Sequence, residues 1–148
     1  KELGFKYVEL DELYEKSDII SLHCPLTKEN ENMINKEAME KMKDGVVIIN
    51  TSRGKLINSD DLIKSLSTGK IGGVGLDVFD DEGDFFLNDM SNSYYRSTEL
   101  SVLLSMPNVV ITSHQAFFTK EALDKIGQVS MDNIKSFFET GECENFVE

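Results

Sequence analysis

Cysteine is scarce in this sequence, which has two cysteines, Cys24 and Cys143, in 148 residues. Cys24 lies at the end of an apolar run, and Cys143 lies near the end of the sequence. Two cysteines at these positions make neither a disulfide framework nor a metal-binding motif. This cysteine usage favours the reducing cytoplasm.

Basic residues and long apolar stretches are also scarce. The sequence has 15 Lys and Arg against 27 Asp and Glu, a formal charge of −12 at pH 7, and its basic residues form no run. No apolar stretch reaches the roughly 20 residues that a membrane-spanning helix needs, and the opening residues lack the pattern of a secretory leader. We therefore expect neither nucleic acid nor a membrane among its partners.

A glycine-rich phosphate loop is missing as well. Gly72, Gly73 and Gly75 are close together in "KIGGVGL", but they do not form the GxGxxG spacing that opens a helix after a strand. These glycines favour close approach of backbone segments rather than phosphate binding.

Four apolar runs dominate what is present. They are continuous rather than alternating, which is typical of parallel strands that are covered on both faces. The runs are "DIISLH" (18–23), "GVVIIN" (45–50), "GGVGLDV" (72–78) and "NVVIT" (108–112).

Helical patterns separate these runs. Asn35 is the predicted cap of "NKEAMEKM", and Asn58 or Ser59 is the predicted cap of "SDDLIKSL". Thr119 is the predicted cap of a long helix that Gly141 ends. At the start of the sequence, "KYV" (6–8) followed by "DELYEKS" (11–17) predicts one more strand and helix. The alternation indicates an open α/β sheet.

An open α/β sheet binds its ligands beyond the carboxyl ends of the strands. The unusual residues of this sequence fall there: "HCPLT" after the first run, "NTSRG" after the second, Asp77 at the end of the third, and "TSHQAFF" after the fourth. We therefore expect a site at this edge, with His114 in it and phenylalanines that exclude water.

The same stretches resemble the NAD-dependent D-2-hydroxyacid dehydrogenases. The resemblance covers nearly the whole sequence, in order, through "SDIISLHCPLTKEN", "MKDGVVIINTSRGKLINSDDLIKSL", "GKIGGVGLDVFDDE" and "PNVVITSHQAFFTKEA". "HQAFFT" and the aromatic insertion "GDFFLNDMSNSYY" (83–95) are most similar to the fermentative D-lactate branch. The implied fold class is α/β, the second half of a Rossmann-type doubly wound parallel sheet plus a long C-terminal helix.

The resemblance implies a catalytic triad of Arg53, Glu82 and His114. Arg53 would grip the carboxylate of a 2-oxoacid, because a guanidinium meets a carboxylate through two parallel hydrogen bonds. His114 would pass the proton to the ketone oxygen during reduction by NADH. Glu82 would bond the other imidazole nitrogen and hold the ring.

The resemblance also implies a site for the cofactor NAD and a wall of the substrate pocket. Phe117 is similar in position to that wall. The expected cofactor-binding residues are Cys24, Pro25, Asn30, Thr51, Ser52, Arg53 and Asp77.

The resembled family carries its GxGxxG motif upstream of anything present in this sequence. We therefore expect residues 1–118 to be a partial NAD-binding domain and 119–148 to be a return helix with the start of a substrate-domain segment. The parent enzyme is expected to form a homo-oligomer, a dimer through its cofactor domain, and the fragment alone to be nearly inactive. Loss of the preceding strands should leave residues 19–22 with a bare edge, so that the isolated chain self-associates or leaves residues 1–10 poorly ordered.

Each functional interpretation has a structural alternative. His114 could be a strand-end histidine bonded to backbone, and Arg53 could cap a strand or pair with a surface acid. Glu82 could belong to a solvated acidic loop, and Asp77 could simply end its strand. At the level of function, the alternatives are an enzyme for a bulkier acid, such as 2-oxoisocaproate or phenylpyruvate, and a non-catalytic relative of the transcriptional corepressors that senses the nucleotide. The choice between NAD and NADP depends on an acidic residue upstream of this sequence.

Overall fold

The computed structural model of the chain describes residues 4–80 and 98–146. The chain divides into two compact units, Lys1–His114 and Gln115–Glu148. Glu82 and the aromatic insertion 83–95 lie outside the described residues.

The first unit contains a parallel sheet whose four described strands follow the order β1-β2-β3-β4. The strands are β1 (Ile19–Leu22), β2 (Val46–Asn50), β3 (Ile71–Leu76) and β4 (Val109–Ile111). Each strand coincides with one of the four continuous apolar runs, and β3 begins one residue before its run. The prediction of the second half of a Rossmann-type parallel sheet is therefore confirmed, and so is the long C-terminal helix (Lys120–Thr140).

Helices alternate with the strands. The α-helices of the described residues are α1 (Leu10–Lys16), α2 (Lys36–Lys41), α3 (Ser59–Ser67), α4 (Thr98–Ser105) and α5 (Lys120–Thr140), and a 3₁₀ helix spans Gly54–Leu56. Asn35, Asn58 and Thr119 each cap the helix that follows, because their side chains accept the backbone N–H three residues on. The predicted caps are thus confirmed.

The core of the first unit lies between the sheet and the helices on it. Continuous apolar strands have side chains on both faces of the sheet, and helix side chains cover them. Burying one valine, leucine or isoleucine side chain stabilises the folded state by about 1.5–3 kcal/mol. The side chains with no more than 2% exposure include Ile34, Met39, Val46, Ile48, Leu56, Leu62, Ile71 and Leu103.

Gly72, at the start of β3, allows the close backbone approach that the sequence predicts. A Cβ at this position would overlap the carbonyl oxygen of Gly45, in the turn that precedes β2. The glycines of "GGVG" therefore serve sheet packing at this point.

The prediction of a strand at residues 6–8 is wrong. Residues 4–9 have no regular structure, and residues 4–10 are exposed. Strand backbone needs a neighbouring strand for its N–H and C=O groups, and within the described residues β1 has only β2 beside it. The helix predicted directly afterwards is confirmed as α1.

Helix α4 was not predicted from the sequence. Its leucines Leu100, Leu103 and Leu104 follow the i, i+3, i+4 spacing of a helix face, and Leu103 is fully buried in the core. The helix has only 8 residues and closely follows the aromatic insertion, so its pattern does not stand out as a separate helix in the sequence.

The second unit consists of a turn and helix α5. The 21 residues of α5 include none that is buried, and Gly141, with φ of 80°, ends the helix as predicted. Leu123, Ile126, Ile134 and Phe137 form an apolar stripe with 40–52% exposure. Among all helices of the described residues, none combines the length and the apolar character needed to cross a membrane.

Candidate active site

The carboxyl ends of the four strands are aligned across the sheet. Leu22 is the register partner of Asn50, Asn50 of Leu76, and Leu76 of Ile111. The residues that follow these four positions therefore emerge at one edge. Cys24, Arg53, Asp77 and His114, predicted from the sequence to share a site, all lie within a few residues of this edge.

Asp77 connects the central strand β3 to both of its neighbours. It directly follows Leu76 and is 5% exposed. Its backbone N–H donates to the carbonyl of Asn50 over 2.9 Å, and its carboxylate accepts a hydrogen bond from the Thr112 hydroxyl. A buried carboxylate needs such donors, because an uncompensated buried charge is costly. Asp77 is therefore held firmly in the middle of the edge.

His114 is attached to the same residue. Its backbone N–H donates to the carbonyl of Asp77 over 2.8 Å. His114 has a φ of 52°, in the left-handed region, and for a residue other than glycine this conformation costs about 1 kcal/mol. The chain thus turns sharply after β4, and the exposed His114 stays beside the end of β3.

Arg53 is presented by the loop that follows β2. It has an extended backbone (φ −142°, ψ 137°) and directly precedes the 3₁₀ helix. The side chain is exposed, and its Nη1 donates to the carbonyl of Ser52 over 2.7 Å. The ion pairs within the described residues are all formed by lysines. Among the described residues, Arg53 therefore does not pair with a surface acid.

Asn50 shapes that loop from inside. Its side chain is fully buried at the end of β2. The Nδ2 group donates to the carbonyl of Arg53 over 2.9 Å, and Oδ1 accepts the N–H of Ser52 at 3.0 Å. One amide therefore closes the loop on both sides of the Ser52–Arg53 peptide bond.

The loops after β2 and β3 are in close contact. A Cβ on Gly54 would overlap the backbone of Phe79 and Asp80. Only glycine allows this approach without movement of one loop. The contact places the loop of Arg53 next to Phe79 and Asp80.

The loop after β1 is folded by Asn30. Its Nδ2 donates to the carbonyl of Pro25 over 2.8 Å and lies 3.9 Å from the Cys24 sulfur, and its Oδ1 accepts the N–H of Thr27 at 2.7 Å. The Ser52 hydroxyl donates to the carbonyl of Cys24, so this loop is joined to the arginine loop. Cys24, Asn30 and Ser52, predicted to contact the cofactor, also hold one another in place.

The remaining predicted residues have less structural support at the site. Thr51 is exposed in the arginine loop. Phe117 belongs to the second unit, where it is 50% exposed and packs edge-to-face on Phe118 with ring centroids 6.2 Å apart. Its role as a pocket wall stays a prediction.

Asn50, Gly54 and Thr112 were missed in the sequence. An amide at the end of the apolar run "GVVIIN" was the available signal for Asn50, since a buried polar group must be hydrogen-bonded. Gly54 and Thr112 had no comparable signal, because both act through contacts between segments that are distant in sequence.

A family model decides the relationship. Residues 1–116 match the model described as D-isomer specific 2-hydroxyacid dehydrogenase, NAD binding domain. The chain belongs to this family. The family resemblance stated from the sequence is therefore confirmed, and NAD is the cofactor of the matched domain.

Individual relatives agree with this assignment. The chain is 46% identical to a D-lactate dehydrogenase of Escherichia coli, with 97% of the chain and 44% of the relative covered. It is also 46% identical to an aromatic 2-oxoacid reductase of Clostridium sporogenes, with 95% and 42% covered. A D-lactate dehydrogenase of Aquifex aeolicus, solved with NAD and lactic acid, matches with a TM-score of 0.82 and 40% identity over 93% of the chain and 42% of that structure. The chain thus spans less than half the length of these relatives.

Proposed function

We propose that this chain is the part of an NAD-linked dehydrogenase that contains its catalytic residues, and that the enzyme interconverts a small 2-oxoacid and its D-2-hydroxyacid, pyruvate and D-lactate above all. The main support is the position of Asp77, which is hydrogen-bonded to Asn50 on one side and to His114 on the other. Arg53 and His114 therefore follow the two strands that flank the residue proposed to face the cofactor.

The described residues fit a nicotinamide. Asp77 offers a buried carboxylate at the centre of the edge, and a carboxylate is the acceptor that a carboxamide N–H requires. The joined loops of Cys24 and Ser52 give a firm border on the β1 side. When bound, NADH supplies the hydride. The contribution of the chain is to hold the nicotinamide end against this edge and to orient the oxoacid beside it.

Arg53 binds the substrate in this proposal. The guanidinium reaches solvent from a loop that is closed by Asn50, and it forms two parallel hydrogen bonds with the carboxylate of the oxoacid. This contact fixes which face of the ketone is presented. A lysine could supply the charge but not the fork, so an exchange of arginine for lysine is not conservative here.

His114 transfers the proton in this proposal. In reduction its imidazole N–H donates the proton to the carbonyl oxygen, and in oxidation the neutral ring accepts the hydroxyl proton. Glu82 is proposed to accept a hydrogen bond from the second ring nitrogen and so to hold the ring in this orientation. Phe117 is proposed to exclude water from the pocket. The boundary of the cofactor segment is proposed at residue 118, before the return helix.

A second substrate class has its own support. The aromatic 2-oxoacid reductase and the D-lactate dehydrogenase are equally identical to this chain, at 46%. Overall identity therefore favours neither acid, and the space for the side chain of the acid depends on the rest of the enzyme. We keep pyruvate as the first candidate and phenylpyruvate as the second.

The test is a substrate panel on the full-length parent enzyme. Pyruvate, 2-oxoisocaproate and phenylpyruvate are offered with NADH and with NADPH, beside the variants Arg53→Gln and His114→Ala. Each variant should lower kcat/KM by about 100-fold or more, the range for loss of a proton-transfer or orienting group. Lys55→Gln, two residues from Arg53 and exposed, should stay within two-fold. Unchanged turnover in both site variants would exclude the mechanism, and NADH binding without turnover would favour the non-catalytic relative.

We further propose that the parent is a cytoplasmic dimer that associates through its cofactor domain. The two cysteines of this chain are both free, which is compatible with a reducing compartment. Sedimentation of the parent at the mass of a monomer would contradict the dimer.

A further inference from the structure

We infer that Asn50 is a positioning residue for Arg53: its buried amide fixes the loop that presents the guanidinium to the substrate carboxylate. The inference rests on the proposed function, because it assigns Asn50 a role only through Arg53. Asn50 itself lies inside the end of β2 and is not proposed to contact any ligand.

The position of Asn50 is unusual for a polar side chain. It is fully buried and follows four aliphatic residues of β2. An amide in such a place lowers stability by roughly 1–3 kcal/mol if it is left without partners. A leucine or a valine would fill the same space without that cost. The amide must therefore be favoured by the bonds that it makes.

Both bonds are made to the arginine loop. The donor group of the amide binds the carbonyl of Arg53 at 2.9 Å, and the acceptor oxygen binds the N–H of Ser52 at 3.0 Å. These two backbone groups bracket the peptide bond that leads into Arg53. With both held, the loop loses the rotations that would swing the arginine side chain away from the edge.

The Asn50 amide supplements the contacts that the loop makes with the surrounding protein. Thr51 and Arg53 are exposed, so water could satisfy the loop backbone in many conformations. The Ser52 hydroxyl and the contact of Gly54 with Phe79 hold the two ends of the segment. Asn50 fixes its middle, where the Arg53 carbonyl also accepts the backbone N–H of Leu56 over 3.3 Å. The backbone carbonyl of Asn50 also accepts the N–H of Asp77, a bond that does not involve the amide and that remains in an Asn50 variant.

The experiment measures Asn50→Ser in the full-length parent, alone and combined with Arg53→Gln. Serine removes the amide without adding a charge and is too short to make both bonds. We expect kcat/KM for the preferred 2-oxoacid to fall at least ten-fold, while the dissociation constant of NADH changes less than two-fold. If Asn50 acts through Arg53, the double variant should be within two-fold of Arg53→Gln alone, because the two losses share one cause.

Asn108→Ser is the matched control. The amide of Asn108 also donates to a backbone carbonyl, that of Gly72 at 3.1 Å, but at the opposite edge of the sheet. This variant should keep kcat/KM within two-fold. Asn50→Ala, which also removes the amide without adding a charge, is measured in parallel. It should lower kcat/KM at least ten-fold as well, and a value within two-fold of the parent would overturn the inference if Asn50→Ser does not fold.

Two results would overturn the inference. One is a kcat/KM of Asn50→Ser within two-fold of the parent, and the other is a double variant whose losses multiply. Failure of the proposed function gives a different pattern, in which Arg53→Gln itself keeps full turnover. If Arg53→Gln lowers kcat/KM but Asn50→Ser does not, the role of Asn50 is excluded while that of Arg53 stands.

Discussion

The backbone N–H of His114 donates to the backbone carbonyl of Asp77 over 2.8 Å. Through this bond, the residue proposed to transfer the proton is attached to the residue proposed to face the nicotinamide. The arrangement needs a left-handed backbone at His114, which a non-glycine residue adopts only when its surroundings hold it there. Asp77 and Thr112 form those surroundings. The first prediction therefore concerns the hydrogen bond from the Thr112 hydroxyl to the Asp77 carboxylate.

Thr112→Val should weaken NADH binding in the parent enzyme. The substitution keeps the shape of the side chain but removes the hydroxyl that donates to the buried Asp77 carboxylate. Loss of a hydrogen bond to a charged group costs about 1.5–3 kcal/mol, and part of this should appear as a several-fold higher NADH dissociation constant in a fluorescence titration. Thr68→Val, which removes an exposed hydroxyl at the end of α3, should leave NADH binding unchanged. Equal affinity in both variants would show that Thr112 does not support Asp77.

Gly54→Ala should destabilise the fold and impair turnover together. The added Cβ would overlap the backbone of Phe79, so one of the two loops must move, at a cost of about 1–3 kcal/mol for overpacking. The measurement is the urea midpoint beside kcat/KM. Gly127→Ala is the matched control, since a Cβ there meets nothing within 4 Å and alanine stabilises a helix interior by up to about 1 kcal/mol. A Gly54→Ala protein as stable and active as the parent would mean that the loops are not in contact.

The sheet could be predicted from the sequence because its signals are local. Continuous runs such as "GVVIIN" specify buried parallel strands, and caps such as Asn35 and Thr119 mark where helices begin. Parallel strands then bring their carboxyl ends to one edge by geometry alone. This is why Arg53, Asp77 and His114 could be assigned to one site without any coordinates.

The contacts that hold these site residues in place could not be predicted in the same way. The bond between Thr112 and Asp77 joins residues 35 positions apart, and the contact of Gly54 with Phe79 depends on how two loops pack. Such contacts leave no periodic pattern in the sequence. The strand expected at residues 6–8 failed for a related reason: its local pattern was adequate, but a strand also needs a partner.

Tyr14 should make the stability of the chain fall at alkaline pH. Burial raises the pKa of its phenol from the ordinary value of 10.0, and Asp11 and Cys24 raise it further. Since the folded pKa lies above the unfolded one, the contribution to stability is fully present below about pH 10 and is lost as the pH rises through the folded pKa. The free energy of unfolding, measured by urea denaturation at pH 8 to 11, should therefore fall more steeply with pH in the unsubstituted protein than in the Tyr14→Phe variant.

The difference between these two profiles isolates Tyr14, because all other titrating groups are common to both proteins. Near pH 8, Tyr14→Phe should cost no more than about 1 kcal/mol, since it loses only a hydrogen bond of 3.4 Å to the carbonyl of Met33. Parallel profiles up to pH 11 would contradict the raised pKa.

The isolated 148-residue chain should self-associate through β1. This strand ends the order of the described sheet, and Ile19 on it is 66% exposed. An edge strand with an exposed apolar side chain pairs readily with another copy, and a lysine on the edge opposes such pairing. Ile19→Lys should therefore shift the chain toward monomer in sedimentation equilibrium, whereas Leu104→Lys, which removes an equally exposed side chain (64%) from helix α4, should not. A clean monomer of the unsubstituted chain, or the same shift in both variants, would contradict association through the edge of β1.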